Sequence, residues 1–183
     1  VHWLQTTREN NWFPTPKEIE KKIKSIGKKN IILILNSPNN PSGTTCDHLK
    51  EIADVAKKYK IIILSDEIYT DLTFCNKYES ISKYYPEGTF VSGGLSKWCG
   101  AGGWRLGFFA VPDQLEELKN GLKILCSESF TSVSAPIQYA AVQAYKSDHS
   151  TYLTAVKKIL FLIGNYVYEN LKSNVINITK PQG

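Results

Sequence analysis

In the stretch GLSKWCGAGGWRLG, residues 94–107, a lysine and an arginine stand eight positions apart among glycine, small and aromatic residues. Lys97 follows the short apolar run TFVSG, so its amine is expected to be desolvated at a strand end. Desolvation lowers an amine's pKa and makes it a nucleophile toward carbonyl carbon; the alternative is a lysine whose stem is buried and whose head reaches water. Arg105 offers a rigid fork of donors suited to a phosphate or a carboxylate, and Gly100, Gly102 and Gly103 let a ligand come close to the backbone.

A second polar cluster, SDEIY, sets Asp66 at the end of the apolar run IIIL, with Tyr69 three residues on. A carboxylate in that place needs a cation or several donors, although an Asp at a strand end also serves as a plain turn or capping residue. The third cluster, SPNNPSG, contains Asn40 in a mix of Asn, Pro and Gly that makes a turn in any protein. Two nucleotide-loop readings fail on the residues: no Gly-Lys pair is followed by Ser or Thr, and a GxGxxG begun at Gly100 requires glycine where Arg105 stands.

These clusters have to be positioned by the elements around them. Short apolar runs predict strands over Ile31–Asn36, Ile61–Leu64, Thr89–Gly93 and Arg105–Val111. Leu49, Ile52, Val55 and Tyr59 have helical spacing, with Thr44 and Asp47 read as a capping box that opens the helix. Further helices are expected over Gln114–Leu125, Ala135–Tyr145 and Tyr152–Leu171. The alternation predicts an α/β fold, a three-layer α/β/α arrangement around a mostly parallel sheet with one antiparallel edge strand. In such sheets ligands bind beyond the carboxyl ends of the strands, where all three polar clusters fall.

Composition excludes several classes. With 42% hydrophobic and 21% charged residues in a chain of 183, the sequence has the make-up of a soluble globular protein. The net charge of +5 comes from lysines spread along helix faces, such as Lys21, Lys22, Lys24, Lys28 and Lys29, without interleaved aromatics, so no nucleic-acid partner is expected. Cys46, Cys75, Cys99 and Cys126 form no CxxC pair and His2, His48 and His149 stand apart from them, so no metal site is expected. Apolar runs too short for a bilayer, and a start without signal-peptide character, point to a cytoplasmic location. The absence of methionine suggests a piece of a longer protein.

NSPNNPSG, SDEIY, SK with an Arg eight residues after the lysine in GGWRLG, and SAPIQYAAVQAY occur together and in order. In these pieces the chain resembles the class I/II aminotransferases, pyridoxal-phosphate enzymes of fold type I, over nearly its whole length. The resemblance implies that Lys97 forms the Schiff base with pyridoxal 5'-phosphate (PLP) and then carries the proton to and from the substrate α-carbon. It implies that Asp66 pairs with the pyridine nitrogen, that Asn40 and Tyr69 hydrogen-bond the ring's phenolic oxygen, and that Arg105 clamps the phosphate. The implied activity is transfer of an amino group from an amino acid to a 2-oxo acid, by a homodimer. A C–S lyase or an aminocyclopropane-carboxylate-synthase-like enzyme is the alternative within the fold, although SPNNP, rather than a His-containing NPHNP turn, favours transamination. A folded fragment that binds no cofactor is the alternative outside it.

The sequence also departs from the family. Many members carry a hydroxyl residue three positions before the lysine, where this chain has Gly94. The family's N-terminal phosphate loop, its ring-stacking aromatic and its carboxylate-binding arginine are not found in these residues. On this reading 1–150 is part of the cofactor-binding large domain, and 151–183 is a long connecting helix and the start of a small domain.

Overall fold

Thr15 starts the first helix, α1 (Pro16–Ile26), with a complete capping box: its hydroxyl accepts from the Glu18 amide, and the Glu18 carboxylate accepts from the Thr15 amide. Gly27 ends the helix in the left-handed conformation with φ of 63°. The chain then runs through β1 (Ile32–Asn36), α2 (Leu49–Tyr59), β2 (Ile62–Asp66), β3 (Thr89–Gly94) and β4 (Gly107–Ala110). Three helices follow: α3 (Glu116–Ser129), α4 (Ala135–Lys146) and α5 (Ser150–Leu171). This computed structural model describes residues 1–27, 30–74, 78–171, 173 and 176–183; Lys28, Lys29 and Cys75 of the sequence reading lie outside them.

The four strands lie in the order β1-β2-β3-β4. β1, β2 and β3 run parallel, and β4 is antiparallel to β3, so the mostly parallel sheet with one antiparallel edge strand is the observed topology. The main core lies where α1 and α2 cover one sheet face: Ile19, Ile23, Ile52, Ala53 and Ala56 meet Leu33, Leu35, Ile61 and Ile63. Each fully buried isoleucine there contributes roughly 1.5–3 kcal/mol of transfer free energy. Glu20 ties the two helices together, its carboxyl held down at about 2 by Lys58, Tyr59 and Lys24. A second, smaller cluster packs Ala141 of α4 against Leu95, Trp98 and Ala101 of the segment after β3, with Leu153 of α5 beside it.

Several expectations are corrected. A parallel sheet covered on both faces predicts buried strands throughout, yet β1 alternates, with Ile32 and Ile34 exposed at 50% and 67%, and all four residues of β4 are exposed. In β1 the exposed residues point to the face away from α1 and α2, while Leu33 and Leu35 beneath those helices are buried; β1 and β4 are also the two edge strands of the sheet. The capping box at Thr44 and Asp47 does not form. α2 begins one residue after His48 with no side-chain cap. Thr44 is fully buried and its hydroxyl donates instead to the Asn11 carbonyl at 2.8 Å, a tertiary bond that withdraws it from the helix start.

Candidate active site

The parallel register places Asn36 opposite Asp66 and Asp66 opposite Ser92. Side chains two apart on a strand share a face, so Leu33, Leu35 and Ile63 face α1 and α2 while Asn36, Asp66 and Ser92 form one row on the other face. Ser92 Oγ donates to Asp66 Oδ1 at 2.9 Å, and Asn36 Nδ2 donates to Asp66 Oδ2 at 3.2 Å. The carboxylate expected to need a cation or several donors has two neutral donors, one on each oxygen. Each oxygen keeps a further lone pair for a ligand N–H.

From this row the site extends into the turn after β1. The Asn40 amide donates to Asn36 Oδ1 at 2.8 Å, and Asn40 Nδ2 donates to the Tyr69 hydroxyl at 3.3 Å. The turn is closed by Gly43 N to Asn39 O and Asn39 N to Thr44 O, both 2.8 Å, and by the Ser42 hydroxyl on Asn39 Oδ1. The Ser37–Pro38 and Asn40–Pro41 peptide bonds within it are cis. Tyr69 precedes the 3-10 turn Thr70–Leu72, and its hydroxyl hydrogen is not used in the bond from Asn40. Lys97 Nζ lies over the Tyr69 ring, 5.1 Å from its centroid, within cation–π range.

Lys97 and Arg105 sit on a loop that closes on itself. Leu95 N donates to Leu106 O, Ala101 N to Leu95 O, and Gly100 N to Lys97 O, the last made possible by Gly100 at φ of 65°. Trp98, next to the lysine, is buried against Tyr145 and His149. The expected desolvation of Lys97 is not observed: its side chain is exposed, because the loop buries its neighbours Leu95 and Trp98 and leaves the lysine on the open side. Arg105 is exposed and left-handed, with φ of 55°, and donates to Gly102 O at 2.6 Å. Its hydrogen bond thus goes to its own loop and not to the Asp66 row.

Asp66, Asn40, Tyr69 and Lys97 therefore form one contiguous set, with Arg105 on the same loop as the lysine. Sequence reading missed Asn36 and Ser92 as site residues. The signal was there: a polar residue at or near the end of each of two apolar strands, in line with Asp66 once the strands are set in parallel register. Gly94 has a structural reason. A Cβ there would lie 2.7 Å from the Leu106 carbonyl oxygen and 3.0 Å from Gly107 Cα, so β4 occupies the space a side chain needs. Beside the site, a groove of about 1000 Å³ runs along the open edge of β1, lined from α1 as well as from both faces of the strand, and reaches Asn36 and Asn40. Asp66 and Lys97 lie outside its lining, so the chemistry sits at its end.

Among the described residues no group of three or more His, Cys, Asp or Glu could hold a metal ion, and no helix is long and apolar enough to cross a membrane. The donor set, a hydrogen-bonded carboxylate, an Asn–Tyr pair, an amine and a nearby guanidinium, fits a ligand with an N–H at one end, an oxygen acceptor at its edge, and both an electrophilic carbon and an anion.

The family model described as aminotransferase class I and II matches residues 1–183. An aspartate aminotransferase of Pyrococcus horikoshii is 37% identical over 145 residues, 78% of this chain and 36% of that protein. A probable aspartate aminotransferase of Methanocaldococcus jannaschii is 30% identical over 91% of this chain and 45% of its own length. Among solved structures, an aromatic aminotransferase from Pyrococcus horikoshii superposes with a TM-score of 0.80 at 28% identity, covering 92% of this chain and 45% of that one. A mutant aspartate aminotransferase of Thermus thermophilus superposes with a TM-score of 0.87 at 24% identity, over 98% of this chain and 49% of that one, a likeness of fold. The chain thus spans less than half the length of these relatives.

Proposed function

This chain belongs to the class I and II aminotransferases, and we propose that in the whole protein it supplies the lysine-bearing half of a PLP site that moves an amino group from an amino acid to a 2-oxo acid. One observation carries the reading: the unbroken path Ser92–Asp66–Asn36–Asn40–Tyr69 that ends beneath the Lys97 amine. When bound, PLP supplies an aldehyde carbon open to an amine and a protonated ring that takes up the electron pair released at the substrate α-carbon.

The residues of this chain divide the remaining work. Asp66, held by Ser92 and Asn36, would pair with the ring nitrogen and keep a proton on it. Asn40 and Tyr69 would donate to the phenolic oxygen and orient the ring. Lys97 would be the nucleophile toward the aldehyde carbon, and its free amine would hold and return the α-proton of the substrate. Arg105, which donates to Gly102 O here, would hold the phosphate; with Gly94 packed against β4, the grip on this side of the anion would come from Arg105 and backbone donors of the loop. The whole protein works as a cytoplasmic homodimer, with residues 151–183 linking the cofactor-binding domain to a second, smaller one.

The test uses the whole protein. PLP is added, the visible band recorded, and the adduct trapped with borohydride and mapped by mass spectrometry to Lys97. A Lys97→Ala protein with an unchanged band would overturn the assignment. Formation of 2-oxo acid only when an acceptor 2-oxo acid is present identifies transamination, whereas acceptor-independent product would identify a lyase.

A further inference from the structure

Two of the site residues, Asn40 and Tyr69, belong to separate turns, and their mutual bond of 3.3 Å is long for a contact meant to fix geometry. Residues 177–183 meet both the N-terminal segment and these turns. Ile178 O and Asn177 Oδ1 accept from the Arg8 guanidinium, and Thr179 Oγ1 accepts from Trp12 Nε1 at 2.9 Å. Gln182 then enters between the two turns.

Its main chain bridges them. Gln182 N donates to Gly43 O at 2.6 Å, on the Asn40 side, while Gln182 O accepts from Phe74 N at 2.8 Å, just past the Thr70–Leu72 turn that follows Tyr69. Its side-chain oxygen gathers three donors: Thr45 N at 2.7 Å, Thr45 Oγ1 at 3.1 Å and Asn11 Nδ2 at 3.3 Å. Pro181 packs on Gly43, where an added Cβ would stand 3.2 Å from the proline Cβ. One half-buried residue thus joins the N-terminal segment and the 39–45 turn through its side chain, and the 39–45 turn and the backbone after Tyr69 through its main chain.

We propose that Gln182 is a positioning residue for the site: its main chain bridges the Asn40 turn and the backbone after Tyr69, its amide oxygen anchors that bridge on Thr45 and Asn11, and together they set whether Asn40 and Tyr69 reach the same ligand oxygen. The proposal rests on the PLP reading only for the identity of that ligand. Without the amide oxygen, the Thr45 amide and hydroxyl lose their acceptor, and the main-chain bridge between the two turns loses its anchor on Thr45 and Asn11 and holds them less firmly. A pair of donors on the phenolic oxygen stabilises its negative charge and lowers the pKa of the lysine-linked nitrogen beside it; separating the donors raises that pKa.

The experiment compares wild type, Gln182→Met and Gln182→Glu in the whole protein, with two readouts. Hydrogen exchange at the Thr45 amide, measured without cofactor, is expected to speed up about tenfold in the Met variant and to stay near wild type in the Glu variant, which keeps an acceptor oxygen. With PLP bound, the pH midpoint of the visible band is expected to rise by about half a unit in the Met variant and to return in the Glu variant. Unchanged exchange and midpoint in the Met variant would overturn the proposal, as would equal shifts in the Met and Glu variants. Should the Met variant not fold, Asn11→Ala removes one of the three donors, and an unchanged midpoint there overturns the proposal as well. If wild type takes up no PLP the functional reading fails, while the exchange comparison still decides the role of Gln182 in ordering the turns.

Discussion

Restoring the family's hydroxyl at position 94 is expected to harm this protein. On sequence grounds Gly94→Ser adds a phosphate ligand and tightens PLP binding. The structure predicts otherwise, because the new Cβ falls 2.7 Å from Leu106 O and 3.0 Å from Gly107 Cα, both backbone atoms of the segment entering β4. Backbone in a paired strand cannot rotate aside as a side chain can, so the strand must move. Overpacking of that kind costs about 1–3 kcal/mol, which lowers the melting temperature of a domain this size by roughly 2–12 °C. The movement also carries the Leu95–Leu106 loop, and with it Lys97, out of register with Asp66. Gly103 is the control, since a Cβ there meets nothing within 4 Å, and Gly103→Ser should stay within about 0.5 kcal/mol of wild type. Melting curves with and without PLP for wild type, Gly94→Ala, Gly94→Ser and Gly103→Ser separate the steric and ligand effects. A Gly94→Ser protein as stable as wild type that also binds PLP more tightly than Gly94→Ala would refute the reasoning.

Ser92→Ala removes the donor to Asp66 Oδ1 and should weaken PLP binding by roughly tenfold, the scale of one hydrogen bond to a charged group, as read by fluorescence titration. Thr15→Ala breaks the capping box of α1 and should cost about 1 kcal/mol in urea denaturation with no effect on PLP affinity. Burial pushes the Glu67 carboxyl above its ordinary value, against the hydrogen bonds of Ser80 and Ser65. Its folded form therefore holds a proton that the unfolded chain has already released, so stability is greatest below the unfolded pKa and falls as pH rises through the raised one. Glu67→Gln should flatten that part of the profile, measured as melting temperature between about pH 4 and 7, and an unchanged profile would count against a raised Glu67 pKa in the folded protein.

The elements were legible wherever local pattern and tertiary role agree. The runs IILIL and IIIL are strands because β-branched residues suit a pleated, buried surface, and the order of polar clusters at their ends gave the site. What could not be read depends on distant partners. Thr44 looks like a helix cap until the Asn11 carbonyl, 33 residues away, takes its hydroxyl. Lys97 looks desolvated because its neighbours are apolar, but those neighbours turn inward and the amine stays outside. Ile32 and Ile34 belong to the same apolar run as the buried Leu33 and Leu35, and only their place on the face that α1 and α2 do not cover leaves them open. Asn36 and Ser92 needed the register, and Gln182 needed the path of the chain after α5.

The row Asn36–Asp66–Ser92 has a consequence for how the protein comes to possess its site. Its two hydrogen bonds join residues 30 and 26 positions apart, through parallel pairings that no short hairpin can template. Contacts of such separation are slow to form, since the loop entropy is lost before the contact is gained. A slip of one residue in either pairing would send Asp66 to the opposite face. The chain therefore acquires its carboxylate pocket at a late stage of folding, and a nascent protein can be helical and compact well before it is able to retain a ligand.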